Sequence, residues 1–196
     1  MMADKILVLG SSSPFRKSLL DRLHLAYTIA HPQIDETAEP GENAPNLVRR
    51  LALQKAEAVA TQFNDALVIG CDQVAELNGR VLGKPADHDD AVAQLQAACG
   101  QTMVFHSALC LFDTDTRQYQ LAVVPVNVTF KSLTRAQIEN YLVKDGPYNC
   151  AGSIRTERLG IALIEKMQSA DPTAIMGLPL ITLIGMLQDK GIDVLG

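Results

Sequence analysis

Ala66-Leu67-Val68-Ile69-Gly70-Cys71 is an uncharged run without polar alternation, and it stops at Asp72. A run apolar on both faces reads as a strand covered on both sides, the habit of parallel α/β sheets. Upstream, residues 6–9 repeat the pattern, and Ser11-Ser12-Ser13-Pro14 then opens a helix with Ser13 as cap and Pro14 in the first helical position. Phe15, Leu19, Leu20 and Leu23 share one face of it. Residues 26–30 form another strand edge, and 31–45, with three prolines and Gly41, form a loop. Asn46 is the expected cap of a helix whose stripe Leu47, Leu51, Lys55, Val59 is apolar except at Lys55.

Downstream, Asn78-Gly79 between residues 74–77 and 80–82 predicts a hairpin, and 89–98 a helix closed by Gly100. Residues 102–112 and 119–130 read as a long antiparallel pair. Thr134 and Gln137 form a capping box for a helix reaching about Leu142, residues 161–164 a strand, and Pro179 starts a last helix ending near Gly191. Alternating strands and helices followed by a hairpin predict a mixed-sheet α/β fold, and 196 residues fit one domain, 1–196, at most two small lobes sharing a core.

Composition narrows the function. Apolar residues make up 47% and charged ones 20%, which excludes a disordered chain. Seventeen Lys plus Arg against 22 Asp plus Glu gives −5, which argues against a broad basic face for polymeric nucleic acid. The start, Met1-Met2-Ala3-Asp4-Lys5, carries an acidic residue and leads into too short an apolar run for a secretory signal. The longest apolar run, 178–187, contains Pro179, Thr182 and Gly185 and falls short of the roughly 20 residues of a membrane span. A cytoplasmic protein is expected, with Cys71, Cys99, Cys110 and Cys150 as reduced thiols. The dispersed His24, His31, His88 and His106 offer no zinc cluster.

Five places could carry chemistry. Small residues from Gly10 lead into a helix bearing Arg16 and Lys17, which reads either as an anion site or as a capped helix with solvated cations. A Walker loop would need Gly at 15 and Lys at 16, where this chain has Phe15 and Arg16. Asp72 is either a rigidly held carboxylate for water activation or a hard metal, or a polar strand terminus. Lys55 either meets an anion or snorkels to water, whereas Lys190 reads as an ordinary solvated lysine. Gly83-Lys84-Pro85 is a turn with a cation, and Asp35-Glu36-Thr37 puts acids in the long loop. Four cations (Arg16, Lys17, Lys55, Lys84) with Asp35, Glu36 and Asp72 on an acidic chain suit a magnesium-assisted phosphate site.

Ser11-Ser12-Ser13-Pro14-Phe15-Arg16, Asp35-Glu36-Thr37, Gln54-Lys55-Ala56, Gly70-Cys71-Asp72-Gln73-Val74, Gly83-Lys84-Pro85, Cys150-Ala151-Gly152-Ser153 and Gly177-Leu178-Pro179-Leu180 stand in the order found in the Maf family, which this chain resembles over nearly its whole length. The resemblance implies an elongated mixed β-sheet flanked by helices, two lobes with a central cleft, like the inosine triphosphate pyrophosphatases. It implies hydrolysis of a small-molecule nucleoside triphosphate between the α and β phosphates with a divalent cation (Mg, Mn or Co), and it leaves a homodimer open. Asp72 matches the general base, Ser11, Ser13, Arg16, Lys55 and Lys84 the phosphate-contacting positions, and Glu36 an acid near the metal, which Asp72 could also ligate. Phe15, Gln73 and Glu157 stand where the dTTP and UTP branch carries Arg, Thr and Gln; they resemble the 7-methyl-GTP branch, although Trp is frequent there in place of Phe15 and the family usually has Ala at Gly10. Methylation at N7 makes guanine a flat cation, so an aromatic face and a carboxylate that accepts the base-edge N–H groups suit it. The plain alternative for Glu157 is one more charge among residues 155–158. A nucleotide-binding regulator of division without turnover is the rival reading; a positioned Asp72 speaks for the enzyme, since a sensor needs only the cations.

Overall fold

The structure is a computed structural model that describes residues 5–196, so the reading of residues 1–4 as no secretory signal lies outside the described residues. Along the chain run β1 (Ile6–Gly10), α1 (Pro14–Leu20), β2 (Thr28–Ala30), α2 (Ala44–Ala60), β3 (Ala66–Leu77), β4 (Arg80–Leu82), α3 (His88–Ala98), β5 (Thr102–Asp113), β6 (Tyr119–Phe130), α4 (Arg135–Asp145), β7 (Ile164–Gln168) and α5 (Leu180–Gln188). The strands form a mixed seven-stranded sheet in the order β2-β1-β3-β5-β6-β7, with β4 paired to β3 off that path. β1 pairs in parallel with β2 and β3, while β3–β4 and β6–β7 are antiparallel. This is the α/β mixed sheet that the residue pattern predicts.

The chain divides into two compact units: residues 1–72, 107–124 and 171–196 form the first, and 73–106 with 125–170 the second. In the first unit, alternation along the strands separates two faces. Leu7, Leu9, Leu67, Ile69 and Cys71 pack with Leu19 and Leu20 of α1 and Leu183 and Leu187 of α5. The opposite face meets α2, whose Val59, Ala52 and Ala56 come against Gly10 and Gly70. In the second unit α3 packs on α4, and Leu95 and Ala98 of the one and Ile138 and Leu142 of the other are buried. Burial pushes the thiols of Cys71 and Cys110 up to about 11 and about 12.

Four expectations shift. β3 does not end at Asp72 but continues to Leu77, because Lys55 supplies the counter-charge that lets a carboxylate lie inside a strand. Asn43, not Asn46, caps α2: its side chain accepts from the Asn46 N–H, and Pro45 fits the first turn. Residues 159–163 form a 3-10 turn, and β7 begins at Ile164, where the register against β6 also slips. Lys190 is half-buried and pairs with Asp113 at 3.2 Å.

Asp113 fastens both ends of the first unit, since Lys5 before β1 donates to Oδ1 and Lys190 after α5 to Oδ2. Burial alone would raise its carboxyl, but the bonds from Lys5, the Thr116 N–H, Lys190 and the Asp115 N–H outweigh it and hold it far below the usual carboxylate range. A depressed value contributes stability that is present above the unfolded pKa of ~3.9 and lost as pH falls through the native value. Asp113→Asn is therefore expected to cost about 2 kcal/mol at pH 7, with the two unfolding curves converging in strong acid. A difference under about 0.5 kcal/mol at pH 7 in urea titrations would refute this.

Candidate active site

β1 ends at Gly10, and the chain then turns so that Ser11 is 5% exposed. Its Oγ accepts from the Ser13 N–H and from Arg16 Nη1, both at 3.2 Å, which leaves its own O–H to donate. Ser13 caps α1 by accepting from the Arg16 N–H, an arrangement worth about 1 kcal/mol. Arg16 Nε donates to the Gly177 carbonyl at 3.0 Å. Among the described residues no carboxylate pairs with Arg16, so its charge is held by neutral acceptors. Lys17 departs from the predicted cation set: it turns to Asp21 at 2.8 Å on the solvent side. Phe15, beside them on α1, is half-buried.

The second group is built by helix-on-sheet packing. A Cβ on Gly70 would run into the Ala52 carbonyl and lie 2.7 Å from the Ala56 nitrogen, so glycine lets α2 lie directly on β3. Lys55, between those alanines, thereby reaches Asp72, two residues beyond Gly70 on the same face. Its Nζ is 2.7 Å from Asp72 Oδ1 and 2.9 Å from Glu36 Oε1. Lys55 is 6% and Asp72 5% exposed, which rules out snorkelling and makes each the counter-charge of the other.

Glu36 sits on the long loop, and Arg50 of α2 secures that loop. Arg50 grips Glu42 through Nε at 2.8 Å and Nη2 at 2.7 Å, and Nη2 also donates to the Thr37 carbonyl at 3.0 Å. That grip takes the Glu42 carboxyl down to about 2. Asp35 Oδ1 accepts from the Thr37 N–H at 2.9 Å, which shapes the turn rather than the cation cluster.

The second unit holds the remaining predicted residues. Lys84 is exposed in the turn after β4, and the Gly83 carbonyl accepts from the Gly152 N–H at 3.2 Å. Gly152 has φ +65°, and a Cβ there would lie 2.7 Å from Met103 Sδ. Ser153 Oγ next to it donates to Gln94 Oε1 at 2.7 Å. The Cys150-Ala151-Gly152-Ser153 motif is thus the fixed seat of the Lys84 turn. Gln73 is half-buried on β3, and Glu157 is exposed between Arg155, which donates to the Asp145 and Gly146 carbonyls, and Arg158, which pairs with Asp145.

Of the residues singled out in the sequence, Lys55, Asp72 and Glu36 come together, as do Ser11, Ser13 and Arg16, while Arg50, which holds Glu42 and the Thr37 carbonyl, and Asp171, which holds backbone N–H groups, leave no spacing pattern. Among the described residues no group of three or more His, Cys, Asp or Glu could enclose a metal ion. Two carboxylates reaching one ammonium fit a hard divalent cation that takes its other ligands from water and substrate phosphates, and do not fit a closed zinc site.

The sheet is mixed, and Lys55 of α2 is paired with Asp72 of β3 beneath it; over this fold the profile of the family described as Maf-like protein matches residues 6–190, and the chain belongs to that family. Among its relatives, a protein of Methylobacillus flagellatus named 7-methyl-GTP pyrophosphatase is 52% identical over 189 residues, covering 96% of this chain and 98% of the relative. Proteins of the same name from Polaromonas sp. and Colwellia psychrerythraea are 53% and 46% identical, covering 95% and 97% of this chain and 85% and 96% of theirs.

Proposed function

We propose that this protein hydrolyses 7-methyl-GTP between the α and β phosphates, releasing 7-methyl-GMP and pyrophosphate. The observation that carries the reading is the buried Lys55–Asp72 pair with Glu36 on the same ammonium, in a chain about half identical to relatives named for that activity. Asp72 orients the attacking water and takes its proton. Arg16, Lys55, Lys84 and the Ser11 and Ser13 hydroxyls receive the phosphate oxygens as charge moves to the leaving pyrophosphate. Glu36 and Asp72 would hold a divalent cation (magnesium, manganese or cobalt), which when bound draws charge from those oxygens. We place the protein in the cytoplasm, acting on a small molecule rather than on a polymer or a membrane; among the described residues no helix is long and apolar enough to cross one.

Specificity rests on Phe15, Gln73 and Glu157. Phe15 stacks on the methylated base and Glu157 accepts its edge N–H groups, contributions of roughly 1 to 2 kcal/mol each, so 7-methyl-GTP is expected to be preferred over GTP by about tenfold or more. Glu157→Gln is expected to reduce that preference to within a few-fold while leaving turnover of other triphosphates. The test is pyrophosphate release by the purified protein from a nucleotide panel with each of the three metals. Faster cleavage of dTTP or UTP would overturn the branch and keep the pyrophosphatase. No cleavage at all would favour the nucleotide-binding regulator.

A further inference from the structure

The motif Gly177-Leu178-Pro179-Leu180 takes no part in the chemistry above, yet it ends on the guanidinium that does. The Gly177 carbonyl accepts from Arg16 Nε at 3.0 Å. Gly177 has φ +88°, a left-handed conformation, and a Cβ there would lie 3.1 Å from Arg16 Nε and 3.5 Å from Nη2. Glycine is required twice, for the backbone and for the approach.

The carbonyl is also braced from behind. Asp171, 1% exposed, accepts at Oδ1 from the Thr173 N–H at 3.0 Å and at Oδ2 from the Ile181 and Thr182 N–H groups of α5 at 2.7 and 3.3 Å. The Thr173 hydroxyl shares its proton between Asp171 Oδ1 at 2.7 Å and the Leu178 carbonyl at 2.8 Å, and accepts from the Leu180 N–H at 2.8 Å. Ser107 of β5 donates to the Ala174 carbonyl at 2.6 Å. A segment of ten residues is thus tied to β5 and α5 around one left-handed glycine.

The geometry points to Gly177 as the positioning residue of Arg16, with Asp171 and Thr173 as its brace. The Gly177 carbonyl holds Nε and Ser11 Oγ holds Nη1, so the guanidinium is fixed before substrate arrives and Nη2 remains to donate to a phosphate oxygen. A neutral carbonyl does this where a carboxylate would cancel the charge that the anion needs. The inference rests on the reading that Arg16 receives phosphate.

The experiment is a double-mutant cycle read by calorimetric binding of inorganic tripolyphosphate, which needs neither base recognition nor turnover. Gly177→Ala is expected to weaken binding by about tenfold, since misplacing a positioned group by an ångström costs up to ~100-fold. In an Arg16→Ala background the same change is expected to add less than about twofold, because a positioning residue has nothing left to position. Thr173→Val, which keeps the shape and removes the hydroxyl, follows the same rule with a smaller loss and serves if Gly177→Ala does not fold. Losses that multiply across the cycle, a Gly177→Ala protein that binds like wild type, or a wild type that does not bind tripolyphosphate would each overturn the inference. Non-multiplying losses in a protein that cleaves no nucleoside triphosphate would keep the brace and remove the pyrophosphatase.

Discussion

Asp72→Asn is expected to lower turnover of 7-methyl-GTP by about 100-fold or more, the usual contribution of a positioned base, with the protein still folded. The change is nearly isosteric and removes only the charge and the proton-accepting power. Lys55 keeps a carboxylate partner, because Glu36 Oε1 remains 2.9 Å from its Nζ. The buried ammonium is therefore not stranded, and the variant should still bind triphosphate. Single-turnover assays separate the two quantities. A variant retaining more than about a tenth of wild-type turnover would remove Asp72 from the role of base.

Lys55→Met is expected to act on the fold as strongly as on function. The ammonium is the counter-charge recorded for Asp72, and deleting it leaves a carboxylate, 5% exposed, inside a strand. Breaking a buried pair at one partner costs roughly 3 to 5 kcal/mol, and at ~2 to 4 °C per kcal/mol for a chain of this size the Tm falls by roughly 6 to 20 °C. Removing both partners is a different matter, so Lys55→Met with Asp72→Asn should recover much of that loss. Lys144, exposed on α4, is the fitting control. Equal, small Tm changes for Lys55→Met and Lys144→Met would show that the pair contributes nothing.

Lys55 and Asp72 show what the sequence carries and what it hides. A lysine on an apolar stripe and an aspartate closing an apolar run are each visible as exceptions to a period, and the periods themselves place the helix and the strand. Their contact is not visible, because it depends on Gly70 letting α2 descend onto β3, and a glycine within a strand has several meanings. For the same reason the strand seems to stop at Asp72, since the residue that neutralises it is 17 positions away. Asn43 and Asn46 are equally good caps by type, and only the direction in which the loop enters decides between them. Residues 159–163 carry apolar side chains suited to a strand, but their backbone closes a 3-10 turn first, a choice made by tertiary context. What Gly177 and Asp171 contribute is least legible, since it is one carbonyl aimed at the Arg16 guanidinium and one carboxylate aimed at backbone N–H groups.

The thiol of Cys71 adjoins Asp72 on β3, wholly buried and with its pKa raised to about 11. At neutral pH almost none of it is thiolate, and none is accessible, so electrophiles meet it only when that stretch of strand separates from its neighbours. The chain therefore carries an intrinsic clock on β3. When reclosing outpaces alkylation, the modification rate of Cys71 measures the local opening equilibrium one peptide bond from the proposed base. Half-buried Cys99 and Cys150 run on separate, faster clocks in the same sample. Ligands that tighten the Lys55–Asp72 region slow the first and leave Cys99 as the internal reference, a stability reading of a single strand end that needs no engineered label.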